Sequence, residues 1–470
     1  MTLKVYNTKT REKEAITLLP NQEKLHLYTC GPTVYNFAHI GNFRTYIFED
    51  LVRRSLEYFG LPVMQVMNLT DIDDKTIKGA LEKGVPLNEF TKVYKEAFFE
   101  DLKTLNILPA HAYPSATAYV SEMIKMIEVL LEKGLAYLGK EGSVYFSIHH
   151  FPSYGKLSHL RMEDLKVGAS ERVTTDEYDK ESASDFVLWK QYDPSRDGEI
   201  FWDSPFGKGR PGWHIECSAM ATKLLGETID IHMGGVDNIF PHHENEIAQS
   251  EGCSGKIFAR HWIHSEHLIV NGKKMSKSLG NFFTLRDLLD RGYTGPEIRY
   301  LLLSTHYRTQ LNFTMQGLDA ARQSLKRLED FIYRLRQLKT EGSSDLSSIE
   351  RAKTHFDQAL KDDLNISVAL ASLFDFVREA NSDIDQGKLS RVGAEAALDF
   401  LREIDEALGV IPLEEKEEEI PSDIEEAFEK RQSARTQKNW AEADVQRDYI
   451  NSKGYVIEDG GAGSRVKKAT

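Results

Sequence analysis

Apolar runs alternate with amphipathic stretches through the first part of the chain. An apolar run at residues 25–30 predicts a strand that ends at Gly31, and the periodicity over residues 44–59 predicts an amphipathic helix. A second apolar run at residues 62–69 is followed by the acidic turn 70–75. Strand, helix and strand in this order predict a parallel βαβ sheet, and the ligands of such sheets lie at the carboxyl ends of the strands.

The pattern becomes mixed between residues 116 and 210. A helical stretch at residues 119–133 precedes a region that contains glycine, serine and aspartate, with short apolar runs such as residues 144–146. We interpret residues 116–210 as an insertion between two halves of the sheet. The second half is predicted to resume near Trp213 and to continue to about Val270.

Beyond residue 310 the apolar residues recur at spacings of three and four, which is the period of a helix. These stripes predict three helices, around residues 318–335, 360–377 and 392–408, which together would form a bundle. An acidic linker follows. The last residues predict a small mixed module with a basic helix, a second helix and one short strand.

Composition narrows the class of protein. The chain has 470 residues, of which 41% are hydrophobic and 28% charged, as is typical of a soluble globular protein with more than one domain. Residues 1–20 contain no apolar core of signal-peptide length, and no apolar run is long enough to cross a membrane. We therefore expect a cytoplasmic protein with no membrane partner. The net charge of −14 argues against nucleic-acid binding through overall charge, but it allows a local basic surface.

The three cysteines, Cys30, Cys217 and Cys253, lie too far apart to suggest a disulfide framework. A reducing compartment is the natural one for such a chain. If these residues have a chemical role, we expect them to act as thiolates.

The string His39-Ile40-Gly41-Asn42 lies where the first strand should lead into a helix. The N–H groups at a helix N-terminus attract anions, so a histidine and an amide there are well placed to hold phosphate oxygens. Gly41 would let a ligand approach the backbone closely. The alternative is an ordinary loop with a capping histidine.

Residues 272–280 place lysines and hydroxyl groups in a stretch bounded by glycines. Such a loop can close on a polyphosphate and neutralise the charge that develops as pyrophosphate leaves. The alternative is an exposed basic turn. Neither this string nor the histidine string is specific when it is taken alone.

Together the two strings resemble the "HIGH" and "KMSKS" signatures of class I aminoacyl-tRNA synthetases. The resemblance to the cysteinyl-tRNA synthetase branch extends along essentially the whole chain, through the further strings 29–35, 70–75, 209–220 and 240–246. In that family the first signature often ends in histidine. This chain has Asn42 there, which can donate a hydrogen bond but cannot carry a positive charge.

The resemblance implies an α/β fold class: a Rossmann-like parallel-sheet catalytic domain with an inserted connective region, then an α-helical bundle and a small mixed C-terminal module. The predicted segments are 1–115 (first half of the catalytic domain), 116–210 (connective insertion), 211–265 (second half), 266–312 (region of the lysine loop and stem contacts), 313–411 (helical bundle), 412–422 (acidic linker) and 423–470 (C-terminal anticodon-binding module).

A metal site can also be argued from the residues alone. Seven of the fifteen histidines fall between His214 and His267, and His242 and Glu246 share a face if they lie on a helix. The metalloprotease pattern is not met, because no second histidine follows at the required spacing. The other interpretation is a cleft lined by polar side chains that satisfy one another's hydrogen bonds.

The resemblance implies one zinc ion per chain, and the matching ligands are Cys30, Cys217, His242 and Glu246. Zinc binds a thiolate much better than an alcohol and lowers the pKa of a thiol, so it would distinguish cysteine from serine without editing. By the same resemblance Trp213 and His232 would line the cysteine pocket, and Cys253 would be a spare thiol. Four protein ligands are also typical of a closed structural site, and that reading stays open.

The implied activity is the joining of L-cysteine to the 3′ end of tRNA(Cys) through cysteinyl adenylate. In this scheme phosphates are held by His39 and Asn42, the transition state is stabilised by Lys274 and Lys277, and the ATP site includes Gly235, Asp237 and Lys277. Mg²⁺ would accompany ATP, bound mostly through phosphates and water. We expect a monomer.

Two other functions remain. One is a ligase that joins cysteine to a small amino-sugar, but such a substrate would need neither the bundle nor the basic module. The other is a tRNA-binding relative without catalysis, against which the intact lysine string and the zinc-ligand positions count.

The C-terminal module carries lysines and arginines around a single tryptophan, Trp440, over residues 430–447. Unpaired anticodon bases are read by stacking and by hydrogen bonds to their edges, with phosphates positioned by basic side chains. We therefore expect the module to bind the anticodon. The tryptophan itself is expected in the core of the module.

Overall fold

The computed structural model describes residues 2–160, 185–414, 420–460 and 463–468. The chain divides into two compact units. The first comprises Met1–Arg322, His355–Ala371 and Glu406–Val410, and the second comprises Gln323–Thr354, Ser372–Asp405 and Ile411–Thr470. Within the described ranges, no helix is both long and apolar enough to cross a membrane.

The strands are numbered in chain order. They are β1 (Lys4–Asn7), β2 (Glu12–Ala15), β3 (Leu25–Thr29), β4 (Val63–Met67), β5 (Ala136–Leu138), β6 (Val144–Phe146), β7 (Phe186–Gln191), β8 (Gly209–Pro211), β9 (Ile229–Gly235), β10 (Ala259–Ser265), β11 (Leu268–Val270), β12 (Lys273–Lys274), β13 (Leu311–Phe313), β14 (Tyr455–Gly460) and β15 (Gly463–Lys468).

The α-helices are numbered in the same way. They are α1 (Ile40–Tyr58), α2 (Asp74–Lys83), α3 (Leu87–Thr104), α4 (Val120–Glu132), α5 (Pro194–Asp197), α6 (Trp213–Leu225), α7 (Glu244–Ser254), α8 (Leu285–Leu289), α9 (Gly295–Leu303), α10 (Met315–Gln337), α11 (Ser347–Lys361), α12 (Ile366–Asp385), α13 (Arg391–Leu408), α14 (Ser422–Thr436) and α15 (Trp440–Ser452).

Four parallel strands form the central sheet, in the order β10-β9-β3-β4. Tyr28 of β3 lies opposite His232 of β9, and Trp262 of β10 lies on the other side of His232. Every residue of β9 is buried, as expected for a parallel strand that is covered on both faces. The predicted α/β class with a parallel sheet is confirmed.

Helix α1 begins four residues earlier than the periodicity predicts. The backbone N–H of Asn42 donates to His39 Nδ1 at 3.2 Å, and the backbone N–H of His39 donates to Asn42 Oδ1 at 3.1 Å. This reciprocal cap gives the backbone N–H groups of both residues a side-chain acceptor at the helix start. The histidine string therefore initiates the helix, which the apolar pattern could not show.

The segment between the two halves of the central sheet forms its own antiparallel sheet, β5-β6-β7-β8. Lys190 Nζ lies 2.8 Å from Asp74 Oδ2, and Arg210 pairs with the other oxygen of Asp74 while its Nε lies 3.1 Å from Asp197 Oδ1. Although burial acts to raise the pKa of Asp74, Arg210 and Lys190 hold that pKa below its ordinary value. These ion pairs fasten the antiparallel sheet to the start of α2. Residues 161–184 of the predicted insertion lie outside the described residues.

The prediction of three helices after residue 310 is wrong. Four helices, α10 to α13, are present between residues 315 and 408, because the apolar stripe over residues 360–377 belongs to two of them. The helical conformation is interrupted between α11 and α12 at Asp363 and Leu364, whose φ angles are 62° and 53°. The carboxylate of Asp363 accepts a hydrogen bond from the backbone of Tyr6 at 2.8 Å and pairs with Arg308, so a long-range contact fixes the break.

The C-terminal module has two helices, α14 and α15, followed by a hairpin of β14 and β15 rather than by one strand. Its core contains Ile424, Ala427, Ile450 and Val466. Trp440 is 59% exposed, so the prediction that it belongs to this core is wrong. The core is already filled by smaller aliphatic side chains, and the indole at the start of α15 points to solvent. Residues 415–419 of the predicted acidic linker lie outside the described residues.

Candidate active site

Three distant parts of the sequence meet at one buried cluster in the first unit. Cys30 directly follows β3, Cys217 lies in α6, and His242 and Glu246 flank the start of α7. One donor atom from each of these four residues lies within 4.8 Å of the other three. The structure therefore brings together the four residues predicted as ligands.

The geometry of the cluster suits a small cation. Cys30 Sγ lies 3.8 Å from Glu246 Oε1, and His242 Nε2 lies 3.1 Å from the same oxygen. A tetrahedral zinc ion with bonds of about 2.0–2.3 Å separates its ligand atoms by about 3.3–3.8 Å. Two sulfur atoms, one imidazole and one carboxylate form a donor set that suits zinc.

A second grouping of donors overlaps the first. Cys30, His232, His243 and Glu246 also lie within 4.8 Å of one another. This grouping contains one sulfur instead of two. Because soft thiolates favour zinc over harder divalent ions, the grouping with Cys217 is the better zinc site.

The side chains around the cluster hold its donors in place. His214 Nδ1 lies 2.9 Å from His242 Nδ1, and His232 Nε2 lies 2.9 Å from Glu246 Oε2. Such outer contacts orient a ligand and fix the nitrogen through which an imidazole binds. His232 was predicted to lie here, whereas His214 was counted among the dense histidines but was given no role.

A chain of imidazoles runs from the cluster to the amino-terminal segment. His243 Nε2 lies 3.4 Å from Cys30 Sγ, and His243 Nδ1 lies 2.8 Å from His264 Nε2. His264 Nδ1 in turn lies 2.7 Å from the hydroxyl of Thr8. His264 was counted among the dense histidines, but nothing in the sequence pointed to this contact.

Burial sets the charge of the isolated cluster. It raises the pKa of the Cys30 thiol well above its ordinary value, with Cys217 and Glu246 acting in the same direction. A hydrogen bond with Cys30 acts to lower the pKa of Cys217, but burial and the charge of Glu246 outweigh it. Burial and the neighbouring histidines lower the pKa of His242 well below its ordinary value, so its imidazole is neutral. The thiols require a cation in order to ionise, which is the expected coupling of a metal site.

Trp213 covers one side of the cluster. Its ring stacks on that of His242 with a centroid distance of 4.3 Å and an angle of 22° between the planes. The side chain is 45% exposed, whereas His242 is buried. The residue predicted to line the pocket therefore lies between the cluster and solvent.

A buried contact ties the cysteine-bearing helix to the end of β4. The hydroxyl of Thr70 donates to Glu216 Oε2 at 2.9 Å, and Glu216 is the neighbour of Cys217 in α6. Burial raises the pKa of Glu216 well above its ordinary value even though the Thr70 hydroxyl acts to lower it. In the sequence, Thr70 is marked only as the first residue of the string 70–75.

The two predicted phosphate-binding strings are adjacent in the structure. The backbone N–H of Ile40 donates to the carbonyl of Phe283 at 3.0 Å. A Cβ atom built on Gly41 would lie 3.2 Å from Met275 Cε and 3.0 Å from the ring of His39. The start of α1 therefore lies directly beside the lysine loop, and a larger residue at Gly41 would crowd that contact.

Within the lysine loop, Lys274 is an exposed residue of β12, and Lys277 begins a short turn that ends at Leu279. The side chain of Lys277 lies outside the described part of the structure. Asn281 holds the loop: its Oδ1 accepts from the backbone of Ser276 at 2.8 Å, and its Nδ2 donates to the carbonyl of Lys274 at 3.1 Å.

The predicted nucleotide residues Gly235 and Asp237 lie at the carboxyl end of β9. A Cβ atom on Gly235 would lie only 2.4 Å from Asp237 Oδ1, so a larger residue there would displace this exposed carboxylate. The same edge of the sheet carries Cys30 beyond β3, as expected for a ligand site of a parallel sheet.

Cys253 lies apart from the cluster, near the end of α7. Its thiol donates to the carbonyl of Met126 at 3.4 Å. Burial raises its pKa to about 12, which makes it a poor nucleophile and a poor ligand.

Comparison with known proteins gives a consistent family. Residues 17–323 match the class I (C) tRNA synthetase catalytic domain, and residues 355–412 match the DALR domain. The chain is 59% identical over 469 residues to a cysteine–tRNA ligase of Protochlamydia amoebophila (strain UWE25), covering 99% of this chain and 98% of the relative. It is 57% identical over 470 residues to a cysteine–tRNA ligase of Chlamydia felis (strain Fe/C-56), with the same coverage.

Solved structures show the same fold at much lower identity. A methionyl-tRNA synthetase of Mycobacterium tuberculosis in complex with methionyl-adenylate superposes with a TM-score of 0.61 at 14% identity, covering 83% of this chain and 92% of that one. A leucyl-tRNA synthetase in the ternary complex from Agrobacterium radiobacter K84 gives a TM-score of 0.59 at 12% identity, covering 82% and 84%.

The cluster generates a prediction about metal content. Wild-type protein should carry about one equivalent of zinc per chain, and Cys217→Ser should remove most of it, because the substitution exchanges a soft ligand for a weak one. Elemental analysis of the purified proteins measures this. Cys253→Ser is the matched control and should keep its zinc. A Cys217→Ser protein with an undiminished zinc content would contradict the assignment.

Proposed function

Because the chain belongs to the cysteine–tRNA ligases, a branch of the class I tRNA synthetases, we propose that its buried cluster holds the zinc ion that selects the amino acid. The enzyme is an aminoacyl-tRNA ligase that activates L-cysteine with ATP and transfers it to tRNA. The similarity to cysteine–tRNA ligases favours neither of the two alternative functions, a ligase for a small amino-sugar or a tRNA-binding protein without catalysis. The observation that carries the proposal is the convergence of two thiols, one imidazole and one carboxylate in a single buried cluster.

The proposed zinc ligands are Cys30, Cys217, His242 and Glu246. When bound, zinc supplies a Lewis acid that prefers the thiolate of cysteine to the hydroxyl of serine. The chain's own residues shape access to it: Trp213 lies at the open side, and His232 fixes the Glu246 carboxylate through its second oxygen. A pocket that relied on shape alone would discriminate such similar substrates by only about 1–3 kcal/mol.

We assign the phosphates of ATP to the start of α1. His39 and Asn42 form the reciprocal cap at this helix start. The positive end of the helix dipole is also at this N-terminus, where it favours a negatively charged phosphate. The side-chain Nδ2 of Asn42 is the proposed donor to a phosphate oxygen. Gly235 and Asp237 at the end of β9 would receive the ribose, and Mg²⁺ would bind through phosphates and water.

Lys274 and Lys277 are assigned to the transition state of adenylate formation. Negative charge accumulates on pyrophosphate as it leaves, and lysines on a loop next to the phosphate site can neutralise it. The adjacency of Met275 and Gly41 supports this role, because it places the loop beside the start of α1.

The C-terminal module is proposed to bind the anticodon of tRNA(Cys). The exposure of Trp440 supports this role better than the expected buried position would, because an exposed indole can stack on an unpaired base. We also propose that the enzyme acts as a monomer in the cytoplasm, where translation takes place.

Cysteine-dependent exchange of pyrophosphate into ATP tests the function directly. We expect exchange with cysteine in the absence of tRNA and none with serine even at high concentration, because the hydroxyl does not replace a thiolate on zinc. The measurement is the exchange rate with each amino acid. Appreciable exchange with serine would show that the metal does not select the substrate, and no exchange with cysteine would reject the ligase.

The lysine loop gives a second prediction. Lys277→Ala should leave cysteine binding nearly intact and slow exchange by roughly 10²–10³-fold, the usual effect of removing one donor to a transition state. Exchange kinetics at saturating cysteine measure it. Lys273→Ala, at an exposed residue of the same strand as Lys274, is the control and should behave as wild type. An unchanged exchange rate in Lys277→Ala would refute the assignment.

The module gives a third prediction. Trp440→Ala should raise the KM for tRNA in the charging reaction by about tenfold, since stacking contributes about 1–3 kcal/mol per base, and should leave exchange unchanged. Val445→Ala, an equally exposed apolar residue of α15, is the matched control. If charging by Trp440→Ala matches that by the control, the tryptophan does not contact the anticodon.

A further inference from the structure

Two exposed aromatic rings lie on the loop between the cluster and α1. Tyr35 is 38% exposed and Phe37 is 37% exposed, whereas Phe43 and Tyr46, the first aromatic residues of α1, are buried. The loop starts at Cys30, so these rings lie between the proposed metal ligand and the ATP string. They are not used in the mechanism described so far.

Each ring has a cation beside it. Lys75 Nζ lies 5.1 Å from the ring centroid of Tyr35, and Arg286 Cζ lies 4.7 Å from that of Phe37. The guanidinium of Arg286 is fixed by both oxygens of Asp101, at 2.8 Å each. Arg286 also lies 3.4 Å from Glu100, so each ring has a basic side chain over it and the one beside Phe37 is held by two carboxylates.

The loop that carries the rings is anchored at both ends. The backbone N–H of Val34 donates to the carbonyl of Thr70 at 3.0 Å, and that of Ile40 donates to the carbonyl of Phe283 at 3.0 Å. Phe37 also packs edge-on against Tyr94, with a centroid distance of 5.4 Å. The rings are therefore held in place before any ligand arrives, which lowers the entropic cost of binding.

The reaction defines what must reach this loop. The acyl group to be transferred lies between the cysteine site at the cluster and the ATP site at α1, and the loop connects the two. The terminal ribose of the tRNA has to approach the same point, and it brings unpaired nucleotides with it. Proteins bind such nucleotides by stacking bases on aromatic rings and by placing Lys and Arg near the phosphates.

Resting on the proposed ligase function, we propose that Tyr35 and Phe37, with Lys75 and Arg286, form the stacking platform for the single-stranded 3′ end of the tRNA. The rings take the bases of the terminal nucleotides, and the two cations lie near their phosphates. The platform positions the terminal hydroxyl for attack on the adenylate. Activation of cysteine does not require it.

The test compares two forms of tRNA(Cys), an intact transcript and one that lacks its last three nucleotides. Binding of each to the full-chain enzyme is measured by fluorescence anisotropy. The intact form should bind wild type about tenfold more tightly, because stacking of its unpaired bases on the rings adds to the affinity. Phe37→Leu and Tyr35→Leu keep an apolar side chain but remove the ring, so each should lose most of this advantage. Tyr35→Phe keeps the ring and is the control.

Exchange of pyrophosphate in the absence of tRNA separates this proposal from the proposed function. Wild type without cysteine-dependent exchange would reject the ligase itself. With exchange present, the platform is supported if the leucine variants keep the exchange rate and lose the advantage of the intact 3′ end. It is overturned if they keep that advantage, if wild type shows no such advantage, or if the leucine variants lose exchange while Tyr35→Phe does not.

Discussion

The pairing of β3 with β9 is the constraint on which the active site depends. Tyr28 lies opposite His232 and Thr29 lies opposite Met233, while the backbone N–H of Cys30 reaches the carbonyl of Met233 at 3.4 Å. This register sets Cys30 at the carboxyl edge, beside the strand whose continuation carries His242. Because side chains alternate along a strand, a slip of one residue would turn the inward-facing residues of β3 to the opposite face and take Cys30 out of reach of the cluster.

The segment between β3 and β9 is itself anchored to the central sheet. The antiparallel sheet β5–β8 shares one hydrophobic core with the central sheet: Tyr28 and Val66 belong to the same cluster of buried residues as Phe146 and Trp189. Arg210 of β8 lies three residues before the start of α6, and its guanidinium pairs with the carboxylates of Asp74 and Asp197. Helix α6 is thus positioned by the inserted sheet as well as by the central one. The position of Cys217 depends on both sheets, because this residue lies in α6. The insertion therefore helps to support the cluster of Cys30, Cys217, His242 and Glu246.

The sequence predicted the regular elements well and their ends less well. Apolar periodicity was sufficient for β3, for the short strand β6 and for α13, whose core-facing residues carry a strong helical period. It failed at α1, where a side-chain cap decides the start, and at residues 360–377, where the carboxylate of Asp363 binds groups far away in sequence. Local patterns contain no information about such partners. The exposure of Trp440 was missed for the same reason, since only the packed module shows which side chains fill its core.

The four proposed ligands illustrate the same limit for chemistry. Spacing could relate His242 to Glu246, because both lie within about one turn of the start of α7. No spacing rule could connect Cys30 with Cys217, which meet only because of the order of strands in the sheet. The set came from resemblance to a family, and the structure brings its members together; their role as ligands stays a prediction. The contacts of His214 with His242 and of His264 with His243 could be predicted neither from spacing nor from the resemblance. No motif marks a residue whose role is to hold another side chain in place.

The exposure of the cluster bears on whether its metal would be structural or would meet the substrate. Cys217, His242 and Glu246 are almost fully buried, but Cys30 is only partly so, and the neighbouring Trp213 is half-exposed. A closed structural site has no need for an open side. Cys30 also begins the loop that leads through the exposed rings of Tyr35 and Phe37 to His39. The partial exposure of Cys30 and of Trp213 therefore favours a cluster that can be reached by a substrate over a fully closed structural site.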